Sequence, residues 1–144
     1  MRSMIRFAAP LVLALLVSAC GPFKYQNEVY TLETTTWRIL EVDGVNTDQN
    51  VARDLRPHVV FDTSDGRAHG ATGCNRFSGS YSATGSELSF GEFVTTRSAC
   101  RSPEATRMEA SILEIMPTLT SYRIEGNRIW MYAGQEMRIA GERW

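Results

Sequence analysis

Two short segments hold the residues of this chain best suited to chemistry: Gly73-Cys74-Asn75-Arg76-Phe77-Ser78-Gly79-Ser80-Tyr81 and Thr95-Thr96-Arg97-Ser98-Ala99-Cys100. If the two segments meet, Asn75, Arg76, Thr95, Thr96 and Arg97 form one polar patch. A guanidinium with flanking hydroxyls recognises carboxylate or phosphate, so such a patch would bind an anionic group or the backbone of a partner. The structural alternative is that Asn75 and Gly79 serve tight backbone turns and that Arg76 pairs with an acid. His58 and His69 fall on neighbouring strands of an expected hairpin and, with Asp62, would suit zinc if all three shared a face. Without a fixed ligand spacing, half-exposed strand positions are the plainer reading, and no metal or cofactor is expected. For a hydrolase, either histidine would need a nucleophile such as Ser64 or Ser78, and the chain has no Gly-x-Ser-x-Gly elbow. No catalytic residue is assigned, and the reading is that of a non-enzyme.

The cysteines depend on the address of the protein. Arg2 and Arg6 form a basic start, Phe7 to Val17 an apolar run interrupted by Pro10, and Ser18-Ala19 lead into Cys20. This is the layout of a secretory signal, and the run is shorter than the roughly 20 apolar residues of a spanning helix. Leu16-Val17-Ser18-Ala19-Cys20 resembles the lipobox of bacterial lipoproteins, where small side chains precede the cut and the exposed thiol is acylated. The alternative is an ordinary signal peptide that happens to end before a cysteine. The resemblance implies residues 1–19 as signal peptide, lipidation at Cys20 and attachment to a membrane. By analogy with sorted lipoproteins of a Gram-negative cell, Gly21 in place of aspartate favours the outer membrane, facing the periplasm. With Cys20 committed, Cys74 and Cys100 remain, and in an oxidising compartment an even remainder argues for one disulfide. Closing that loop contributes about 3.5 kcal/mol in the chain-entropy account. Two buried free thiols are the alternative.

At 144 residues and 43% hydrophobic content the chain is one domain long. Loss of residues 1–19 leaves thirteen basic against sixteen acidic residues, a net charge of −3. There is a single lysine, Lys24, and no basic run, which argues against a nucleic-acid partner.

The elements that would position these groups are mostly strands. Residues 20–34 show no sustained period and read as the lipidated N-terminus and a tether; the 14 residues from 21 reach at most about 45–50 Å. The domain is expected over 35–144. Strands are expected at 35–42, 58–62, 67–72, 79–83, 87–90 and 93–96, with 45–56 a loop and turns at Asp43-Gly44 and Ser64-Asp65-Gly66. Ser102 as N-cap, Pro103 at the first helical position and Glu104 in the first turn open a helix over about 103–116. Met108, Ile112, Ile115 and Met116 share its apolar stripe. A period of two then returns for three closing strands. The expected fold is mainly β, a β-rich α+β arrangement. It is a roughly eight-stranded antiparallel barrel-like meander with one α-helix before the last three strands. Trp37, Phe61, Phe77, Tyr81, Phe90, Tyr122, Trp130, Tyr132 and Trp144 would line a ligand chamber or, as is usual for small barrels, fill the interior.

Thr36-Trp37-Arg38, Gly70 to Tyr81, Leu88-Ser89-Phe90-Gly91, Thr95 to Cys100 and Glu109 together resemble the META domain, also called HslJ-like, over about residues 35–144. Ser98 departs from the pattern, standing where a methionine is expected. The resemblance implies a compact β-rich domain of envelope or secreted proteins, often a lipoprotein, linked to heat-shock response, antibiotic tolerance or secretion and without a settled catalytic activity. The functional expectation is a lipid-anchored envelope protein of the stress response or antibiotic tolerance, acting by binding an unidentified envelope protein or small ligand. The alternatives are an inhibitor-type module against a cell-wall hydrolase, or a carrier of a small apolar molecule.

Overall fold

The computed structural model describes residues 30–144. The expected signal peptide, the expected lipidation site Cys20 and most of the expected tether lie outside the described residues. Among these residues the order is β1 (Trp37–Val42), β2 (Val45–Asn46), β3 (His58–Asp62), β4 (Arg67–Ala71), β5 (Arg76–Thr84), β6 (Glu87–Thr95), α1 (Pro103–Ile115), β7 (Ser121–Glu125), β8 (Arg128–Ala133) and β9 (Glu136–Arg143). Every neighbouring pair is antiparallel, as short connections demand. The strands from β3 to β9 follow one another around the sheet, and β1 pairs with both β3 and β9. Those contacts close an eight-stranded barrel, and β2 is an extra strand on the far half of β1.

Three local expectations change. The segments 87–90 and 93–96 are one strand, because Gly91 is a bulge rather than a break. Gly79 pairs with Phe93 and Tyr81 with Phe90, so Ser80 faces both Gly91 and Glu92. A Cβ on Gly91 would lie 2.3 Å from the Ser80 hydroxyl, so a side chain there would force Ser80 into another rotamer. The expected loop 45–56 contains β2 and a 3-10 turn, Arg53–Leu55. Leu32, inside the stretch read as tether, is in the core, and its carbonyl accepts the indole N–H of Trp37 at 3.1 Å.

Period-two alternation along the strands sends Trp37, Ile39, Val59, Phe61, Ala68, Phe77, Ile129, Met131 and Ile139 inward. The helix starts as its sequence dictates: the Ser102 hydroxyl accepts the Ala105 N–H at 3.2 Å and Pro103 opens the first turn. It adds Ile112 and Ile115 to the same core, followed by Met116 and Leu119. The chain between β6 and β7 carries this helix, and those two strands share one register pair, Glu87 with Ser121. The aromatic residues divide. Trp37, Phe61 and Phe77 are buried; Phe61 meets Tyr81 edge-on at 5.0 Å; and Trp130, Tyr132 and Trp144 are only partly covered.

Candidate functional site

The two segments singled out in the sequence do meet. Thr72 turns the chain, with its N–H donating to the Asn75 carbonyl at 2.9 Å, and Gly73 takes φ +98° inside that turn, a conformation L side chains avoid. The turn presents Cys74 to Cys100, and the structure joins the two by a disulfide across a Cα separation of 5.3 Å. Beyond the end of β6, the Thr96 N–H donates to the Arg76 carbonyl and the Arg76 N–H to the Thr96 hydroxyl, both at 3.0 Å. The strand ladder is thereby carried one residue further.

Asn75 is the hub of this corner, and it is 2% exposed. Its amide nitrogen donates to the Ser98 carbonyl at 3.0 Å and to the Glu109 carboxylate at 3.1 Å. Its amide oxygen accepts the Thr96 hydroxyl and the Ser98 N–H, both at 2.8 Å. Glu109, reaching across from α1, also accepts the Asn75 N–H at 3.1 Å and the Thr72 hydroxyl at 2.8 Å. Both donors and both acceptor positions of the Asn75 amide are thus used inside the protein. Thr72 and Glu109 were not assigned this role from sequence. A carboxylate on an otherwise amphipathic helix is a common surface residue, and nothing in its spacing announces a partner 34 positions away.

The remaining patch residues spread apart. Arg76 is exposed and ion-paired with Asp54. Arg76, Thr96 and Asp54 line a cleft of about 260 Å³ with Arg101 and the disulfide, whereas Thr95 and Arg97 do not line it. Arg97 is exposed and has no ion pair among the described residues; Thr95 is half-buried opposite Phe77. A second, more apolar groove of about 480 Å³ runs between the start of α1 and the β1–β2 hairpin, lined by Val42, Val45, Val51, Pro57, Ala105 and Met108 among others.

His58, Asp62 and His69 do share the outer face of the β3–β4 hairpin, with His69 directly across from Val60. Their ligand atoms do not converge within 4.8 Å, and the His58 Nδ1 faces the Arg56 carbonyl at 2.7 Å. Burial holds His58 below its ordinary pKa. Among the described residues the one convergent group of ligand-type side chains is Cys74, Cys100 and Glu109, whose sulfurs are bonded to each other and carry no thiolate for a metal. Ser78 stands across from His69, but its hydroxyl accepts the Arg67 Nε–H at 3.0 Å. Ser64 lies in an exposed turn.

The family model for the META domain matches residues 30–143. The chain belongs to the META domain family. Two solved structures are similar to it. One is the NMR structure of a protein from Burkholderia xenovorans, 23% identical, with a TM-score of 0.59, covering 78% of this chain and 83% of that one. The other is an NMR structure 21% identical with a TM-score of 0.57, covering 77% and 91%. At that identity they share the fold. No curated protein matches the sequence. The META match includes Leu32 and spans both halves of the corner, Thr72 to Arg76 and Thr96 to Cys100.

Proposed function

We propose that this META domain protein is a non-catalytic, lipid-anchored component of the cell envelope, held at Cys20 on the outer membrane and facing the periplasm. It acts in envelope stress response or antibiotic tolerance by binding a protein or small ligand. The observation that carries the non-catalytic part is the occupancy of the corner: Asn75, Thr72, Thr96 and Glu109 spend their polar atoms on one another. The family's association with the envelope, the leader and a disulfide suited to an oxidising compartment support the address. Recognition falls to the exposed Arg76 and Arg97 beside the disulfide, with exposed Thr96 next to Arg97, Asn75 as the internal brace and Thr95 behind them on the side of Phe77.

Cys20→Ala should release the protein from membranes, and continued association through a detergent-free wash would overturn the anchor. Crosslinking in cells followed by mass spectrometry should capture a partner with wild type, and Arg76→Ala/Arg97→Ala should lose it while remaining folded. Equal capture by both proteins would remove these arginines from recognition.

A further inference from the structure

β6 is paired along one side and open along most of the other. β7 meets it at one register pair, Glu87 with Ser121, and the Leu88 N–H still reaches the Thr120 carbonyl at 3.0 Å. From Ser89 onward no described strand lies along that side. Gly91 and Glu92 blunt the first part of this edge, because a bulge and a charged side chain both discourage strand addition. Phe93 to Thr96 carry no charge, proline or bulge. Hydrogen bonds on the β5 side fix which backbone groups face outward. The Thr96 N–H points at the Arg76 carbonyl and the Ser98 N–H at the Asn75 side chain. Across planar trans peptides, the Thr95 and Arg97 carbonyls therefore point the opposite way. The alternation of an antiparallel ladder sends the N–H and carbonyl of Phe93 and the N–H of Thr95 to the same open side. None of these groups has a hydrogen-bond partner among the described residues. Val94 is 66% exposed, and Thr96 and Arg97 are exposed. Thr96 and Ser98, on either side of Arg97, line the disulfide cleft, whose charged residues are Arg76 and Arg101 against Asp54.

We propose that the β6 edge from Phe93 to Arg97 accepts an extended segment of a partner protein as an added antiparallel strand, with an acidic residue of that segment beside Arg97. The proposal rests on the reading above that recognition falls to the disulfide corner, and it names the kind of partner that corner takes. Strand addition gives the outward N–H and carbonyl groups main-chain partners in place of water, while alternate side chains supply selectivity. The net positive charge of the cleft beside the end of the edge favours an acidic segment. In an antiparallel register the partner residue opposite Arg97 comes three places before the one opposite Val94. An acidic residue followed three places later by an apolar one therefore fits, the apolar side chain covering Val94.

The probe is a capped seven-residue peptide with valine at the odd positions, glutamate second and threonine fourth and sixth, offered at up to millimolar concentration to the whole protein in mild detergent. Amide exchange followed by NMR should show new protection at Phe93 and Thr95. Methylating the peptide nitrogens at the even positions, which face the edge, should abolish it, whereas methylation at the third and fifth positions should leave it intact. Arg97→Glu should weaken binding about fivefold and favour a peptide with lysine in place of glutamate. Thr95→Pro removes an outward N–H that the barrel does not use, so it should fold and lose the peptide. Equal binding of the two methylated peptides, or no protection at Phe93 and Thr95 with any peptide, would overturn strand addition. Partner capture in cells that still needs Arg76 and Arg97 would then leave the reading of the corner standing. Protection of the same amides that rises with the concentration of the protein alone would assign the edge to a second copy and overturn the foreign partner.

Discussion

At the scale of single residues, magnitudes separate the two members of the expected patch that looked most alike on paper. The Arg76–Asp54 pair is solvent-exposed on both sides, with side-chain exposures of 57% and 63%, and such pairs contribute between nothing and about 1 kcal/mol. Asn75 is buried, and its loss would take hydrogen-bond partners from the Thr96 hydroxyl, the Ser98 N–H, the Ser98 carbonyl and the Glu109 carboxylate. Each orphaned group costs about 1–3 kcal/mol, so Asn75→Ala should destabilise the domain by about 3 kcal/mol or more in urea unfolding. Arg76→Ala should cost under about 1 kcal/mol. If the two variants unfold at the same midpoint, the hub reading is wrong. His58 supplies a pH dependence. Burial is the main cause of its lowered pKa; His69 and Arg76 add to it, while the Arg56 carbonyl and Asp54 oppose it. The folded protein then binds this proton more weakly than the unfolded chain. Stability is full above about 6.5, the ordinary histidine value, and falls as pH drops from there through the lowered folded value. Asp43, Asp62 and Glu104 are held below their ordinary values of 3.8, 3.8 and 4.5, so their contribution is lost only at more acid pH. Midpoints measured at pH 7.5 and pH 5 should differ in wild type and differ less in His58→Asn.

At the scale of elements, close strand packing explains a glycine that the sequence shows only as one small residue of the strand at 67–72. A Cβ on Gly70 would lie 1.9 Å from the His58 carbonyl oxygen, which belongs to backbone and cannot swing aside. Gly70→Ala should therefore push β3 from β4 and cost about 3 kcal/mol or prevent folding; a wild-type midpoint would refute that packing. The same close approach sets what could be read from sequence. Ser102-Pro103-Glu104 announces the helix because capping is local chemistry, and the alternation in β3, β8 and β9 announces strands because one face must be buried. Gly91 reads as a break because a bulge differs from a turn only in what lies across from it, here Ser80. Leu32 looks like tether because no periodicity surrounds it, and its burial depends on the Trp37 indole five residues later. The candidate site follows the same rule. The meeting of Cys74 with Cys100 was legible from cysteine arithmetic, but the partners that consume Asn75 come from β6's continuation and from α1, a tertiary arrangement with no signature in spacing.

For the whole molecule, the barrel is closed but its staves are unequally joined. β8 and β9 share six register pairs, and β1 and β9 share five. β6 and β7 share one, supplemented by the Leu88 N–H to the Thr120 carbonyl at 3.0 Å, the Tyr122 N–H to Ser86 at 2.9 Å and the Tyr122 hydroxyl to Gly85 at 2.7 Å. Past Leu88 the edge of β6 leaves β7, and the chain passes through the disulfide and α1 before returning. The covalent bond and the Glu109–Asn75 contacts hold the far end of β6 and the start of α1 to the β5 corner, while the near end relies on those few hydrogen bonds. Opening free energy follows such local differences in buried contacts and backbone bonds. Native-state hydrogen exchange should therefore find the Leu88 and Tyr122 amides exchanging at least about tenfold faster than the protected amides of β8 and β9. Their opening should depend little on denaturant, as for a small local excursion, whereas the β8 and β9 amides should follow global unfolding. Equal protection across all the staves would mean that the helix and disulfide brace the whole seam, and that the barrel opens only as one unit.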